Sequence, residues 1–164
     1  MAKINRVAIY DMDGTIVCSL HRYRTMVRED GKEVIDLQYW RDNEPLAMQD
    51  SLLPMAKQYW SDLNDSHCYV IIATARVIHD ADMRFIREKL GLPNYIISRQ
   101  EGDSRSGGLL KVNGLQKFAN LPQFKNAEWM FYEDNTDYLK KVCDHFSFSG
   151  INIKGVYIPS KQGH

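Results

Sequence analysis

The sequence predicts an α/β fold: a three-layer sandwich around a mostly parallel five-stranded sheet, with a small cap insertion. Three observations predict it. Short β-branched or aromatic runs recur, each the length of one buried strand. Amphipathic stretches of helical period separate them. Acidic, hydroxyl and basic residues stand just after the runs, where ligands bind in such sheets.

The first run is RVAIY, Arg6 to Tyr10, ending at Asp11. CYVIIA, Cys68 to Ala73, is the second. Tyr95 to Ile97 is a shorter third, EWMFY from Glu128 to Tyr132 a fourth, and GVYI from Gly155 to Ile158 a fifth. Pro45 to Leu63 carries an apolar stripe through Leu46, Leu53, Ala56, Tyr59 and Trp60, and Pro54 is placed to kink or divide it. Asp80 to Leu90 reads as a helix stopped by Gly91 and Pro93. Lys111 to Asn120 and Asp137 to Phe146 are the remaining helical stretches. Right-handed crossovers then put helices on both sheet faces.

Two segments depart from this alternation. Ser19 to Glu44 is polar and charged with interspersed aromatics, and reads as the cap insertion of a single domain spanning residues 1–164. RQEGDSRSGG, Arg99 to Gly108, reads as a charged glycine-rich loop. No role is read for the tail from Lys154 to His164.

Composition narrows the function. The 164 residues are 44% hydrophobic, enough for one core without disulfide or zinc staples. The 21 basic and 21 acidic residues cancel, so long-range attraction to a polyanion is not expected. Three cysteines, Cys18, Cys68 and Cys143, form no C-x-x-C pair, which argues against zinc or a disulfide framework. Cys18 reads as a small apolar filler. No apolar run is long enough to span a bilayer and no signal-peptide stretch opens the chain, so a soluble cytoplasmic protein is expected.

The strand ends carry the chemistry. Asp11, Asp13, Gly14 and Thr15 follow the first strand, Thr74, Ala75 and Arg76 the second, Asp103, Arg105 and Lys111 the third, and Glu133 and Asp134 close the fourth. Phosphoryl transfer needs a nucleophile in line with the leaving oxygen and neutralised charge on the phosphoryl oxygens. An aspartate can supply the attack and a second carboxylate the proton. Repulsion among Asp11, Asp13, Glu133 and Asp134 calls for a hard cation on oxygen ligands, which favours magnesium. Taken singly, each residue also reads as a helix cap, a loop anchor or a solvated side chain. Their joint occurrence at successive strand ends favours the functional reading.

VAIYDMDGTIV resembles the D-x-D-G-T motif of the haloacid dehalogenase (HAD) superfamily, and Thr74 after IIA, Lys111, and the acidic pair in FYED follow in that superfamily's order. The resemblance implies a Rossmann-like, HAD-like fold and a phosphatase working through an aspartyl-phosphate. It implies Asp11 as nucleophile and magnesium ligand. It implies Asp13 as general acid and base, with its carbonyl on the metal. Thr74 would bond the phosphoryl group, Lys111 would neutralise charge, and Asp134 would hold the metal. Glu133, a second metal-ligand candidate, stands where an aspartate is common.

RQEGDSRSGGLLK is similar to a loop of the phosphatase domain of bacteriophage polynucleotide kinase–phosphatases, as are the Thr74-Ala75-Arg76 turn and the His21-Arg22 pair. That resemblance implies removal of a 3′-phosphate from a nucleic-acid end. Arg76, Arg105, Thr15 and His21 would contact substrate. Asn135 departs from the pattern, and no G-x-x-x-x-G-K-[ST] loop marks a kinase half. The alternative substrate is a free mononucleotide, as in a 5′(3′)-nucleotidase. A non-catalytic phosphate-binding or receiver module is the remaining alternative.

In the insertion, Arg22, Arg24, Arg28 and Arg41 read mostly as surface charges paired with Glu29, Asp30, Asp36 and Asp42. Tyr23, Tyr39 and Trp40 suit either stacking on bases or packing the insertion against the core.

Overall fold

The structure is a computed structural model that describes residues 2–159. The tail positions 160–164 lie outside the described residues.

Five strands form a parallel sheet: β1 (Arg6–Tyr10), β6 (Cys68–Val77), β7 (Tyr95–Arg99), β8 (Glu128–Glu133) and β9 (Ile153–Tyr157), in the order β7-β6-β1-β8-β9. β1 is central, with Tyr10 level with Ile72 on one side and Tyr132 on the other. Asp11, Ala73 and Glu133 therefore stand together at the carboxyl edge.

Strand alternation sorts the core into two layers. Val7 and Ile9 face α4 (Gly107–Ala119) and α6 (Thr136–Phe148), packing with Leu115, Phe131, Val142 and Phe146. Ala8 and Tyr10 face the other way, toward Tyr59 of α2 (Ala56–Leu63) and Phe85 of α3 (Asp80–Phe85). Each large side chain fully buried here contributes about 1.5–3 kcal/mol. Tyr10 reaches a polar partner, Asp62, which also accepts from Arg6.

The elements run close to the sequence pattern, with instructive differences. β6 continues past Ala73 to Val77 through a register shift, so Thr74 and Arg76 lie within an irregular strand end. Pro45 to Leu63 is not one helix. A 3-10 helix spans Glu44–Gln49, an extended β5 (Ser51–Leu52) follows, and α2 begins only at Ala56. Pro54 disfavours helical backbone at Leu53. The Leu53 N–H instead donates to the Ile16 carbonyl at 2.9 Å. α3 passes into wider π turns over Ile86–Leu90 before Gly91. A four-residue α5 (Pro122–Lys125) was not signalled by periodicity.

β5 pairs antiparallel with β2 (Val17–Cys18), Cys18 opposite Ser51. This pairing brackets residues 19–50. Between them lie a 3-10 turn (Leu20–Arg22), a hairpin of β3 (Thr25–Val27) and β4 (Glu33–Ile35), and α1 (Leu37–Asp42), capped by Asp36. The segment departs from the sheet's carboxyl edge and returns to it. No described helix is long and apolar enough to cross a membrane.

Candidate active site

β1 ends in a tight turn. The Met12 carbonyl accepts from the N–H groups of Thr15, Ile16 and Val17, at 3.1, 3.1 and 3.0 Å. Gly14 makes this possible at φ +80°, a region costly for a residue with a Cβ. The turn holds Asp11 and Asp13 at the sheet edge and folds Thr15 back, its hydroxyl donating to Asp11 Oδ2 at 3.1 Å. Thr15 is fully buried, so its observed contact is Asp11.

Lys111, on α4, is completely buried and donates to Asp11 Oδ1 at 2.8 Å and Glu133 Oε1 at 2.6 Å. Ser106 caps that helix, and Gly107 lets it approach α6 closely: a Cβ there would sit 2.6 Å from the Tyr138 ring. Glu133 Oε2 accepts from the Asp134 and Asn135 N–H groups at 3.0 and 3.4 Å. Asn135 in turn caps α6. Asp11, Glu133 and Asp134 each present a carboxylate oxygen, all within 4.8 Å of one another. An all-oxygen, acid-rich donor set of this kind fits a hard divalent cation.

Burial pushes the Asp11 carboxyl well above its usual range, against the pull of Lys111 and with added repulsion from Glu133 and Asp134. Burial works against the charge on Lys111, but Asp11 and Glu133 outweigh it and hold the ammonium protonated.

Asp13 belongs to a second charged cluster. Its Oδ2 accepts from Arg76 Nε at 2.8 Å, and its Oδ1 from Arg76 Nη2 at 2.6 Å and the Ser19 hydroxyl at 2.7 Å. The same guanidinium donates to Asp82 Oδ1 at 2.7 Å and Asp50 Oδ2 at 3.0 Å. Arg76 is thus buried and committed to three carboxylates, whereas the sequence analysis placed it on substrate. Its neighbour in the cluster is Arg22, fully buried and forked onto Asp50 through Nε and Nη2, both at 2.9 Å. Arg22 is therefore not the surface charge expected from sequence, because Asp50 reaches it in the interior. Arg24 and Arg28 do pair at the surface, with Asp36 and Asp30. His21 Nε2 lies 2.7 Å from Asp50 Oδ1. Arg105 is exposed and forked onto Asp103.

Thr74 is buried beside Asp11, and its hydroxyl oxygen accepts the Arg76 N–H at 3.1 Å. Asp11, Thr74, Lys111, Glu133 and Asp134 are therefore gathered at one edge, with Asp13 next to them. Sequence reasoning missed Ser19, Asp50 and Asp82. Asp82 also accepts the His79 N–H at the start of α3, so in sequence it is indistinguishable from an ordinary capping residue. No local signal marks Asp50.

A cavity of about 1000 Å³ opens from Asp13. One wall is the inserted segment, including Tyr23, Ile35 and Trp40. The other is formed by the ends of β6 and β7 with Arg105 and Tyr138. Asp13 and Arg76 line this opening, and Asp11 lies buried behind them.

The chain resembles known proteins in both sequence and fold. Residues 1–102 match the family described as "Bacteriophage T5 5'-deoxynucleotidase". The 5′-deoxynucleotidase of Escherichia phage T5 is 36% identical over 104 residues, which is 62% of this chain and 39% of that protein. Among solved structures, the HAD domain of effector protein Lem4 from Legionella pneumophila superposes with a TM-score of 0.61 at 15% identity, covering 98% of this chain and 90% of that one. A chain of the Pnkp1/Rnl/Hen1 RNA repair complex superposes at 0.60 with 16% identity, covering 97% of this chain and 44% of that one. These likenesses show a HAD-like fold.

Proposed function

The chain belongs to the bacteriophage T5 5′-deoxynucleotidase family, and we propose that it is a divalent-metal-dependent phosphatase acting on free nucleoside monophosphates. The observation that carries the chemistry is Lys111 clamped between Asp11 and Glu133, with Asp134 beside them. The family match favours the mononucleotide over the nucleic-acid 3′ end, which was the main expectation from sequence. That match takes in the D-x-D-G-T turn, the whole inserted segment and Arg76. Arg105, on which the 3′-end reading leaned, lies beyond it and is tied to Asp103.

Asp11 and Asp134 would hold the cation, magnesium by the donor chemistry, with Glu133 adding charge while it bonds Lys111. When bound, the ion would neutralise phosphoryl oxygens. Asp11 attacks phosphorus in line through a carboxylate oxygen, forming an aspartyl-phosphate as the ester P–O bond breaks. Lys111 and the Thr74 hydroxyl steady the phosphoryl oxygens. Asp13, entering the cycle protonated, gives its proton to the leaving oxygen; it then takes one from the water that attacks phosphorus, the P–O bond to Asp11 breaks, and inorganic phosphate leaves with both carboxyl groups restored. For this, one Asp13 oxygen must exchange its Arg76 bond for the substrate oxygen. Residues 19–50 act as a small cap over this edge.

The test is phosphate release with magnesium from 5′- and 3′-deoxynucleotides and from oligonucleotides phosphorylated at either end, with Asp11→Asn as control. Release from 5′-mononucleotides, abolished in the variant, supports the proposal. Release confined to oligonucleotide 3′ ends would replace the substrate. No release from any of them would overturn the proposal.

A further inference from the structure

We propose that Trp40, on the inserted segment, is the stacking platform for the substrate's nucleobase. This rests on the nucleotidase reading and adds the subsite that would choose among phosphoesters. Trp40 sits on α1 and lines the cavity that opens from Asp13. The Arg22 guanidinium covers part of its ring, 4.2 Å from the centroid, and Arg22 is itself immobilised by its fork onto Asp50. The Arg76 guanidinium lies 5.5 Å from the same centroid. Trp40 is therefore pinned in place by two buried cations and is partly buried, with its remaining surface on the cavity. A rigid aromatic surface of this kind stacks on a flat ring at little entropic cost.

Its position relative to the reaction fits a nucleotide. Arg76 spans the gap between Trp40 and Asp13, bonding the latter directly. The ring thus lies one guanidinium and one hydrogen bond away from the acid, within the length of a nucleotide. A phosphate presented to Asp11 would lay its sugar alongside the Arg76 guanidinium, on the cavity side, and its base against the indole.

The charge pattern favours a neutral group there. Arg76 is given to three carboxylates, Arg105 to Asp103, and Arg99 to the carbonyls of Ala75, Asp103 and Arg105. Glu44 is paired with His79 Nε2 at 3.1 Å. Among the described lining arginines, Arg41, exposed on α1, is the one for which no such tie is seen. A second phosphate would find few available cations at this end, whereas a base meets Trp40, Ile35 and Leu37.

The experiment compares Trp40→Ala, Trp40→Leu and Trp40→Phe with the wild type, using deoxynucleoside 5′-monophosphates and deoxyribose 5-phosphate, which lacks a base. Losing a base stack should lower the ratio of kcat/KM for the nucleotide to that for the base-free ester by about ten- to a hundred-fold in the Ala and Leu variants. The Phe variant should retain most of the ratio. Equal losses on both substrates would overturn the inference, because Trp40 would then act only through Arg22 and Arg76. A second measurement covers misfolding and failure of the activity reading. Thymidine should quench wild-type tryptophan fluorescence, and Trp40→Phe should abolish the quench, with Trp60 and Trp129 left as background. Persistence of the quench in that variant, or no quench in wild type, overturns the base subsite. If no mononucleotide is hydrolysed but the quench behaves as expected, the nucleotidase reading falls and the base subsite stands.

Discussion

Arg76 holds both carboxylate oxygens of Asp13, through Nε at 2.8 Å and Nη2 at 2.6 Å, and shares the same guanidinium with Asp50 and Asp82. This relationship makes the orientation of the acid in the D-x-D turn depend on residues from three other parts of the chain: the end of β6, the return leg of the insertion and the start of α3. Burial works against the charge on Arg76, but Asp13, Asp82 and Asp50 outweigh it.

Arg76→Ala is expected to destabilise the fold by about 3–5 kcal/mol, since Asp13 and Asp82 lose their hydrogen-bonded cation and Asp50 keeps only Arg22. Arg76→Lys keeps the charge but cannot reproduce the two-pronged grip. It should lose turnover while recovering part of the stability. Urea denaturation together with kcat separates the two effects. Equal stability of Arg76→Ala and wild type would contradict the account.

Asp11→Asn should abolish turnover yet raise Tm in the presence of a chelator. Asp11, Glu133 and Asp134 crowd one buried site against the single charge of Lys111, and burial already disfavours the Asp11 carboxylate. Removing one negative charge relieves that repulsion. Added magnesium should raise the wild-type Tm in a concentration-dependent way and the variant's much less. Thermal melts with chelator and with magnesium check both directions.

Gly107→Ala should reduce kcat/KM by about tenfold, because its new methyl meets the Tyr138 ring at 2.6 Å and overpacks the α4–α6 contact. Tyr138 lines the cavity and its ring centroid lies 5.3 Å from Lys111 Nζ, so the displacement falls on the site. Steady-state kinetics beside a melting curve would show activity falling more than stability.

Burial pushes the thiols of Cys68 and Cys143 up to about 11. Both should resist a thiol reagent at neutral pH until the protein unfolds. The folded protein binds these protons more tightly, so their contribution is complete below about pH 8.5, the ordinary thiol value, and is lost as pH climbs toward about 11. Native and denatured labelling, with denaturation curves across that window, tests it. Alanine at both positions should flatten the alkaline fall.

Much of the fold was legible because its signals are local. RVAIY, CYVIIA and EWMFY are strands by side-chain type and length alone, and β1, β6 and β8 lie side by side, with every strand of the main sheet parallel to its neighbours. Parallel strands share a direction, so residues following each one reach a common edge. That is why Asp11, Thr74 and the Glu133-Asp134 pair group together from the sequence pattern alone. Lys111 joined them through the superfamily's motif order, and α4 delivers it to Asp11 from 100 residues away.

Other features were decided only by tertiary contact. Arg22, Arg24 and Arg28 occupy one charged stretch and look alike in sequence. Arg22 is fully buried because Asp50, 28 residues on, returns beside it through the β2–β5 pairing; Arg24 and Arg28 find Asp36 and Asp30 in solvent. Arg76 likewise turns to Asp13, Asp50 and Asp82 because the fold brings those carboxylates within its reach. Strand runs depend on nearest neighbours and can be read along the chain. The burial of a charge depends on whether a distant partner arrives to compensate its desolvation, and only the folded chain determines that.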